Sequence, residues 1–258
     1  MKIGVLLKQV PATDTRIKIN AGGTGIETGG VKLEINPYDE HALEEALKLK
    51  DAKKANQVVV ISIGGAGNDQ RIRDGLARGA DTGLWIDDPA LEGADSLTIA
   101  KVLAAAAKAE GVDMLIAGKQ AVDNDNAQVP AMVAELLGWP QALVISELSI
   151  DGGAFQATRD IGGGLRQVVK GALPAVLSAD KALNTPRYAS LPGIMKARRK
   201  PIAKKTAGDF GVAVGEPMVV DANWTLPPER PAGRILQGEP AEVVAELVNL
   251  LRTEAKVL

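Results

Sequence analysis

Gly111 to Pro130 reads GVDMLIAGKQAVDNDNAQVP, and the changes of character along it decide the fold. Val112 to Ala117 is a short apolar run, Gly118 breaks it, and Gln128 opens a helical pattern. This is strand, loop and helix. In an open parallel sheet, ligands settle outside the carboxyl ends of the strands, where a loop meets the first unpaired N–H groups of the next helix. The loop from Lys119 to Ala127 lies at such a place. Its Asp, Asn and Gln side chains suit a ribose or base, and free backbone N–H groups suit a phosphate. The same residue types equally suit an ordinary polar loop with Asp or Asn as a helix N-cap.

Working outward, short β-branched runs recur at Ile3 to Leu7, Gln57 to Ile63 and Thr82 to Ile86, each followed by a helical pattern or a turn. Alternation of such strands with helices predicts a doubly wound, mostly parallel α/β sheet covered on both faces. Gly64-Gly65-Ala66-Gly67 after the second strand resembles a phosphate turn, but its spacing matches neither a P-loop nor the dinucleotide fingerprint. Asp95 or Ser96 begins an alanine-rich helix that Gly111 ends, and Gly138 ends the helix after Gln128. Arg16 to Ile19 and Val31 to Ile35 are expected to pair as a hairpin across a glycine-rich turn. Asn36-Pro37 starts a helix, with Asn36 a cap or a ligand contact, and His41 in its first turn is expected on the surface.

After Gly138 the texture changes. Ala142 to Ile150, Ala154 to Thr158 and Leu165 to Lys170, separated by glycine runs, predict an antiparallel appendage. Leu173 to Ser178 returns as a strand with Pro174 at its start or on an edge. Leu191 to Lys200 is a short amphipathic piece whose basic residues continue at Lys204 and Lys205, a docking surface or a solvated charge run. From Thr206 to Pro240 prolines and glycines recur without core periodicity, and Val243, Val244, Leu247, Leu250 and Leu251 stripe a final helix. The expected division is a nucleotide-binding domain over 1–205, with an anchor loop at 184–200, and an extended partner-wrapping arm over 206–258.

Composition narrows the chemistry. The 258 residues contain no cysteine and one histidine, which removes thiolate and multi-histidine metal sites, cysteine nucleophiles and nearly every Ser-His-Asp arrangement. A net charge of −2 and sparse aromatics give no nucleic-acid footprint over the whole chain. The apolar run after Met1 and Lys2 is too short for a signal peptide or a membrane span, so a cytoplasmic location is expected for the chain as given.

Lys8, Asn36-Pro37-Tyr38-Asp39-Glu40, Gly118-Lys119-Gln120-Ala121-Val122-Asp123, Trp139-Pro140-Gln141 and Arg159-Asp160 stand in one familiar order. With Arg187-Tyr188-Ala189-Ser190-Leu191-Pro192-Gly193-Ile194-Met195-Lys196, the chain from Ile3 to about Gly211 resembles the β subunit of electron transfer flavoprotein. The resemblance implies a Rossmann-like fold of the adenine nucleotide α hydrolase type. It also implies a heterodimer with a flavin-carrying α subunit, in which the β chain performs no bond chemistry. Electrons would come from acyl-CoA and other flavin dehydrogenases and pass towards a membrane quinone oxidoreductase.

AMP would be a buried structural ligand, with FAD mainly on the α subunit. By position, AMP would meet the backbone near Leu6 and Ile63, then Asn36 and the loop Asp125, Asn126, Ala127, Gln128 and Val129, with its phosphate at that loop. Val129 stands where some relatives carry a hydroxyl. Thr13 and Asp160 would lie near the flavin. Leu191 would be the docking anchor, supported by Pro192, Ile194, Met195, Lys196, Arg198, Arg199 and Lys200. Two rivals are a bifurcating subunit with a second FAD in place of AMP and a free-standing adenine-nucleotide sensor or hydrolase; a structural scaffold is a third. The first lacks support in Asp123 to Ala127, which has no glycine opening; the second leaves Leu191 and the arm without a purpose.

Overall fold

A computed structural model describes residues 1–221, 223–230 and 232–258. Its strands are β1 (Lys2–Leu6), β2 (Gln9–Pro11), β3 (Leu33–Ile35), β4 (Gln57–Ile63), β5 (Thr82–Ile86), β6 (Met114–Gly118), β7 (Gln141–Asp151), β8 (Ala154–Asp160), β9 (Arg166–Ala172), β10 (Ala175–Ala179) and β11 (Ile202–Lys205). The helices are α1 (Pro37–Asp51), α2 (Asn68–Arg78), α3 (Ser96–Glu110), α4 (Val129–Leu137), α5 (Leu191–Ala197) and α6 (Pro240–Thr253).

One nine-stranded sheet has the order β11-β5-β4-β1-β6-β10-β7-β8-β9. Every pair from β11 to β7 is parallel, whereas β8 and β9 continue the sheet antiparallel. The hairpins predicted after Gly138 therefore extend the main sheet. Val144 has a φ of 59° beside a register shift in β7, an extra-residue irregularity of the kind that bends a strand out of its first pairing.

The unbroken apolar runs of the central strands follow from burial on both faces. Ile3 and Val5, Val58 and Val60, and Met114 and Ile116 point into the layer under α1 and α2. Their neighbours Leu6, Val59, Ile61 and Leu115 point to the layer under α3 and α4. Local end signals act as expected: Asp95 accepts from the Thr98 N–H, and Gly111 and Gly138 take left-handed conformations at φ 61° and 65°.

Two pairings differ from expectation. Leu33–Ile35 pairs with Gln9–Pro11, not with Arg16 to Ile19, which retains a single bridge from Ile19 to Ile26. The segment after β1 is already tethered to the sheet, and Val10 can be fully buried there, so it captures the returning chain. Lys204 and Lys205 belong to β11, which covers the edge of β5. Lys204 pairs with Asp87 at 2.5 Å and lies 4.4 Å from the Trp85 ring centre, so short length and charge hid a genuine strand. His41 also differs: its Nδ1 lies 3.0 Å from the Asn184 carbonyl oxygen in a half-buried position.

Candidate functional site

The chain passes from β1 through α1 to β4 and β5 on one side, then crosses through α3 to β6 and β10 on the other. The switch point lies between the carboxyl ends of β1 and β6. These strands pair only from Ile3 with Met114 to Val5 with Ile116. Beyond that they part, Leu7 donating its N–H to Ile61 and Lys119 donating its N–H to Ala179.

Asp39, in the first turn of α1, fills the gap. Its Oδ2 accepts the Lys8 N–H at 2.8 Å and its Oδ1 accepts the Gly118 N–H at 3.0 Å. A Cβ at position 118 would overlap Asp39 Oδ1, which explains the glycine that ends β6. Burial pushes the Asp39 carboxyl up to about 7, against the pull of the Lys8 amide, the Asn36 side chain, the Gly118 amide and the Lys8 ammonium.

Asn36 is fully buried and caps nothing with its side chain. Instead its Nδ2 donates to the Gln120 carbonyl at 2.8 Å and its Oδ1 accepts the Val122 N–H at 3.0 Å. Asn36 and Asp39 thus pin both walls of the crevice from one helix end. Above them Lys8 Nζ pairs with Asp123 at 2.7 Å. Asp39, Gly118 and this ion pair escaped the sequence-based site, although an Asp three residues after Asn36 was a usable signal.

The loop leading to α4 contains two left-handed residues. Asp125 and Ala127 adopt φ values of 51° and 52°, and Gln120 Nε2 donates to Asp125 Oδ1 at 2.5 Å. Asp125 to Gln128 are exposed, and Val129 begins α4. Among the described residues the N–H groups of Ala127, Gln128 and Val129 have no protein acceptor. Left-handed residues just before a helix turn such amides towards one place, where they and the helix dipole favour an anion. Leu6 ends β1 in the core and Ile63 ends β4 half-buried, both at the carboxyl end of neighbouring parallel strands. Of the expected AMP residues, Leu6 and Ile63 end neighbouring strands, and Asn36 bonds the start of the loop that runs on to Asp125 and Val129.

The structure does not add Thr13 or Asp160 to that group. Thr13 is exposed beyond β2, its N–H donating to Glu34 Oε1 at 3.3 Å, and Asp160 ends β8, where its Oδ1 accepts the Gly162 N–H.

A second feature is α5. Ser190 Oγ caps it by accepting the Gly193 N–H at 3.1 Å, and Pro192 occupies its first turn. Leu191 is 79 % exposed and Met195 71 %, with Ile194, Lys196, Arg198 and Arg199 also at the surface. Lys200 instead turns inward. Its ammonium donates to the Leu76 carbonyl at 2.9 Å and to the Ala80 carbonyl, at the end of α2. Arg73 of α2 answers by donating to the Ala197 carbonyl at 3.0 Å, and Gly193 lies so close to Ala77 that a Cβ would overlap its carbonyl oxygen. The two helices cap each other's ends.

A cavity of about 520 Å3 lies between α2, α5 and β3. Its Arg71 and Arg78 are answered by Asp74 and Glu40 of its own lining, and its Arg73 donates to the Ala197 carbonyl. Among the described residues no cluster of His, Asp or Glu could hold a metal ion, and no helix is long and apolar enough to cross a membrane.

Residues 24–209 match the family described as the electron transfer flavoprotein domain. The chain is 46 % identical to the electron transfer flavoprotein subunit beta of Bradyrhizobium diazoefficiens, with both chains covered in full. It belongs to the electron transfer flavoprotein β-subunit family. It is also 41 % identical to the mitochondrial subunit beta of Arabidopsis thaliana over the whole of both chains, and 40 % identical to the human subunit beta over 90 % of this chain and 91 % of that one. The general role of the chain is electron transfer as one subunit of a flavoprotein.

Proposed function

We propose that this chain binds one AMP as a structural ligand in the crevice between β1 and β6, and pairs with an α subunit that holds most of the FAD. The observation that carries the reading is the pinned crevice ending in the unpaired amides of Ala127, Gln128 and Val129. The base would lie against the backbone near Leu6 and Ile63, and the phosphate at Asp125 to Val129. Val129 supplies an N–H and no hydroxyl, so the phosphate rests on backbone donors. FAD would supply the redox chemistry, while this chain supplies position and electrostatics. Thr13 and Asp160 would face the flavin side.

Helix α5 would dock acyl-CoA and other flavin dehydrogenases through Leu191, Pro192, Ile194 and Met195, with Lys196, Arg198 and Arg199 steering acidic surfaces. Lys200 would keep α5 in place. The reduced flavoprotein would then pass electrons towards a membrane quinone oxidoreductase. The arm over 206–258 and the apolar face of α6 would wrap the α subunit.

The test is to purify the heterodimer, denature it and quantify the released nucleotides. About one AMP and one FAD per heterodimer, as a single phosphate site at this loop requires, is the expected result. Two FAD would show a bifurcating subunit, and ATP on the chain alone without a partner would remove the flavoprotein reading of the crevice.

A further inference from the structure

Asp39 is a buried carboxylate that touches both strands at the point where they separate. Its two oxygens take the first free N–H group beyond β1 and the last N–H group of β6. One strand ends at Leu6 beside β4, which ends at Ile63, and the other leads through Gly118 into the loop from Lys119 to Val129. No backbone hydrogen bond joins these two strand ends directly among the described residues. The carboxylate is the link between them.

We propose that Asp39 is the positioning residue of the nucleotide crevice: by bridging Lys8 and Gly118 it sets the spacing between the base-facing wall and the phosphate-facing loop. This rests on the nucleotide reading above. Two acceptor oxygens are required, because each strand end presents a donor. A protonated carboxyl retains one acceptor and turns an O–H towards the other amide, and an asparagine does the same with N–H. Either change opens one side of the bridge.

The surroundings leave this proton largely in the hands of burial. The charged group acting on Asp39 is Lys8, which is itself paired with Asp123. On the neighbouring turn Lys119 and Lys181 lie 5.3 and 4.9 Å from the Tyr38 ring centre, and Lys119 also pairs with Asp180 at 3.6 Å. Glu40, next to it on α1, pairs with Arg78. Burial places the carboxyl at about 7, so the bridge is lost as the pH falls through neutrality.

This separates two quantities that a purely structural aspartate would move together. Protonation relieves the cost of a buried charge, so the fold tightens in acid, whereas the crevice loses one of its ties and releases nucleotide faster.

The experiment uses the intact heterodimer, wild type and Asp39→Asn, loaded with AMP. AMP release into a large excess of unlabelled AMP is followed from pH 8 to pH 5.5, with FAD content and thermal midpoint measured on the same samples. The phosphate's own titration near about 6 is common to both proteins. The expected result is wild-type release that accelerates at least about tenfold on acidification with a step near 7, equivalent to about 1.4 kcal/mol. Asp39→Asn should release AMP fast at every pH apart from the phosphate's contribution and keep its FAD. If wild type holds AMP and both proteins release it alike, the proposal is overturned while the nucleotide reading stands. Wild type without AMP overturns both. If Asp39→Asn does not fold, the wild-type profile decides alone: a step only near the phosphate's titration overturns the proposal.

Discussion

Helices α5 and α6 both hold aliphatic side chains out to water, but they are attached to the body in opposite ways. In α5 the exposed Leu191 and Met195 stand on a helix bolted to α2 by Lys200, Arg73 and the close approach of Gly193. In α6 no residue is buried, although Val244 and Leu247 expose an apolar stripe. Its ion pairs run from Glu246 and Glu254 to Arg234 of the same arm. A rigid support presents a few apolar groups at little ordering cost, which suits contacts made and broken repeatedly. An apolar helix that buries none of its residues among the described residues would gain its packing from a partner surface, as the proposed function holds. On the proposed function, the same kind of side chain would serve transient docking in one place and permanent assembly in the other.

The contrast breaks most visibly at α6. Val244→Asp with Leu247→Asp should leave the α/β body folded and weaken assembly with the α subunit at least about a hundredfold, given about 1.5–3 kcal/mol for each buried aliphatic group. Co-purification with the α subunit reads it, and undiminished recovery would mean that α6 covers nothing essential.

Next in size is the pH dependence set by Asp39, which belongs to the body that both helices leave. Its folded value of about 7 exceeds the ordinary 3.8, so the folded chain holds a proton that the unfolded chain has released between those limits. The corresponding stability is fully present below about pH 4 and lost as the pH rises through 7, on the order of 4 kcal/mol relative to Asp39→Asn. Denaturant unfolding of both proteins at several pH values measures the difference, and parallel curves would remove the buried charge from the account.

Gly193→Ala sharpens the α5 side. The new Cβ meets the Ala77 carbonyl, so α5 must shift, at a cost of about 1–3 kcal/mol in thermal stability and with weaker docking. Lys200→Met is gentler. It leaves the carbonyls of Leu76 and Ala80 without that cap and should cost about 1–2 kcal/mol, while nucleotide content stays unchanged. Loss of AMP from Lys200→Met would join two regions that the structure keeps apart.

Much of this was legible in the chain because it is local. The β-branched runs, the Asp95 cap, Gly111, Gly138 and the loop before Val129 announce themselves within a few residues. The pairing of β2 with β3 and the place of β11 did not, because strands this short carry little periodicity and their partners are remote in sequence. Asp39 was hidden for a different reason: an acidic residue in a first helical turn is commonplace, and only the fold shows its two oxygens reaching the ends of two strands. In sequence Lys200 is indistinguishable from the surface basic cluster, and only its neighbours in α2 set it apart from Arg198 and Arg199.

The most direct test of the division of labour is Leu191→Ala in the heterodimer, measuring FAD reduction by an acyl-CoA dehydrogenase together with AMP and FAD content. Reduction should slow by about ten- to a hundredfold at limiting dehydrogenase, with both nucleotides retained. Unchanged reduction, or loss of AMP alongside the slower rate, would contradict that division.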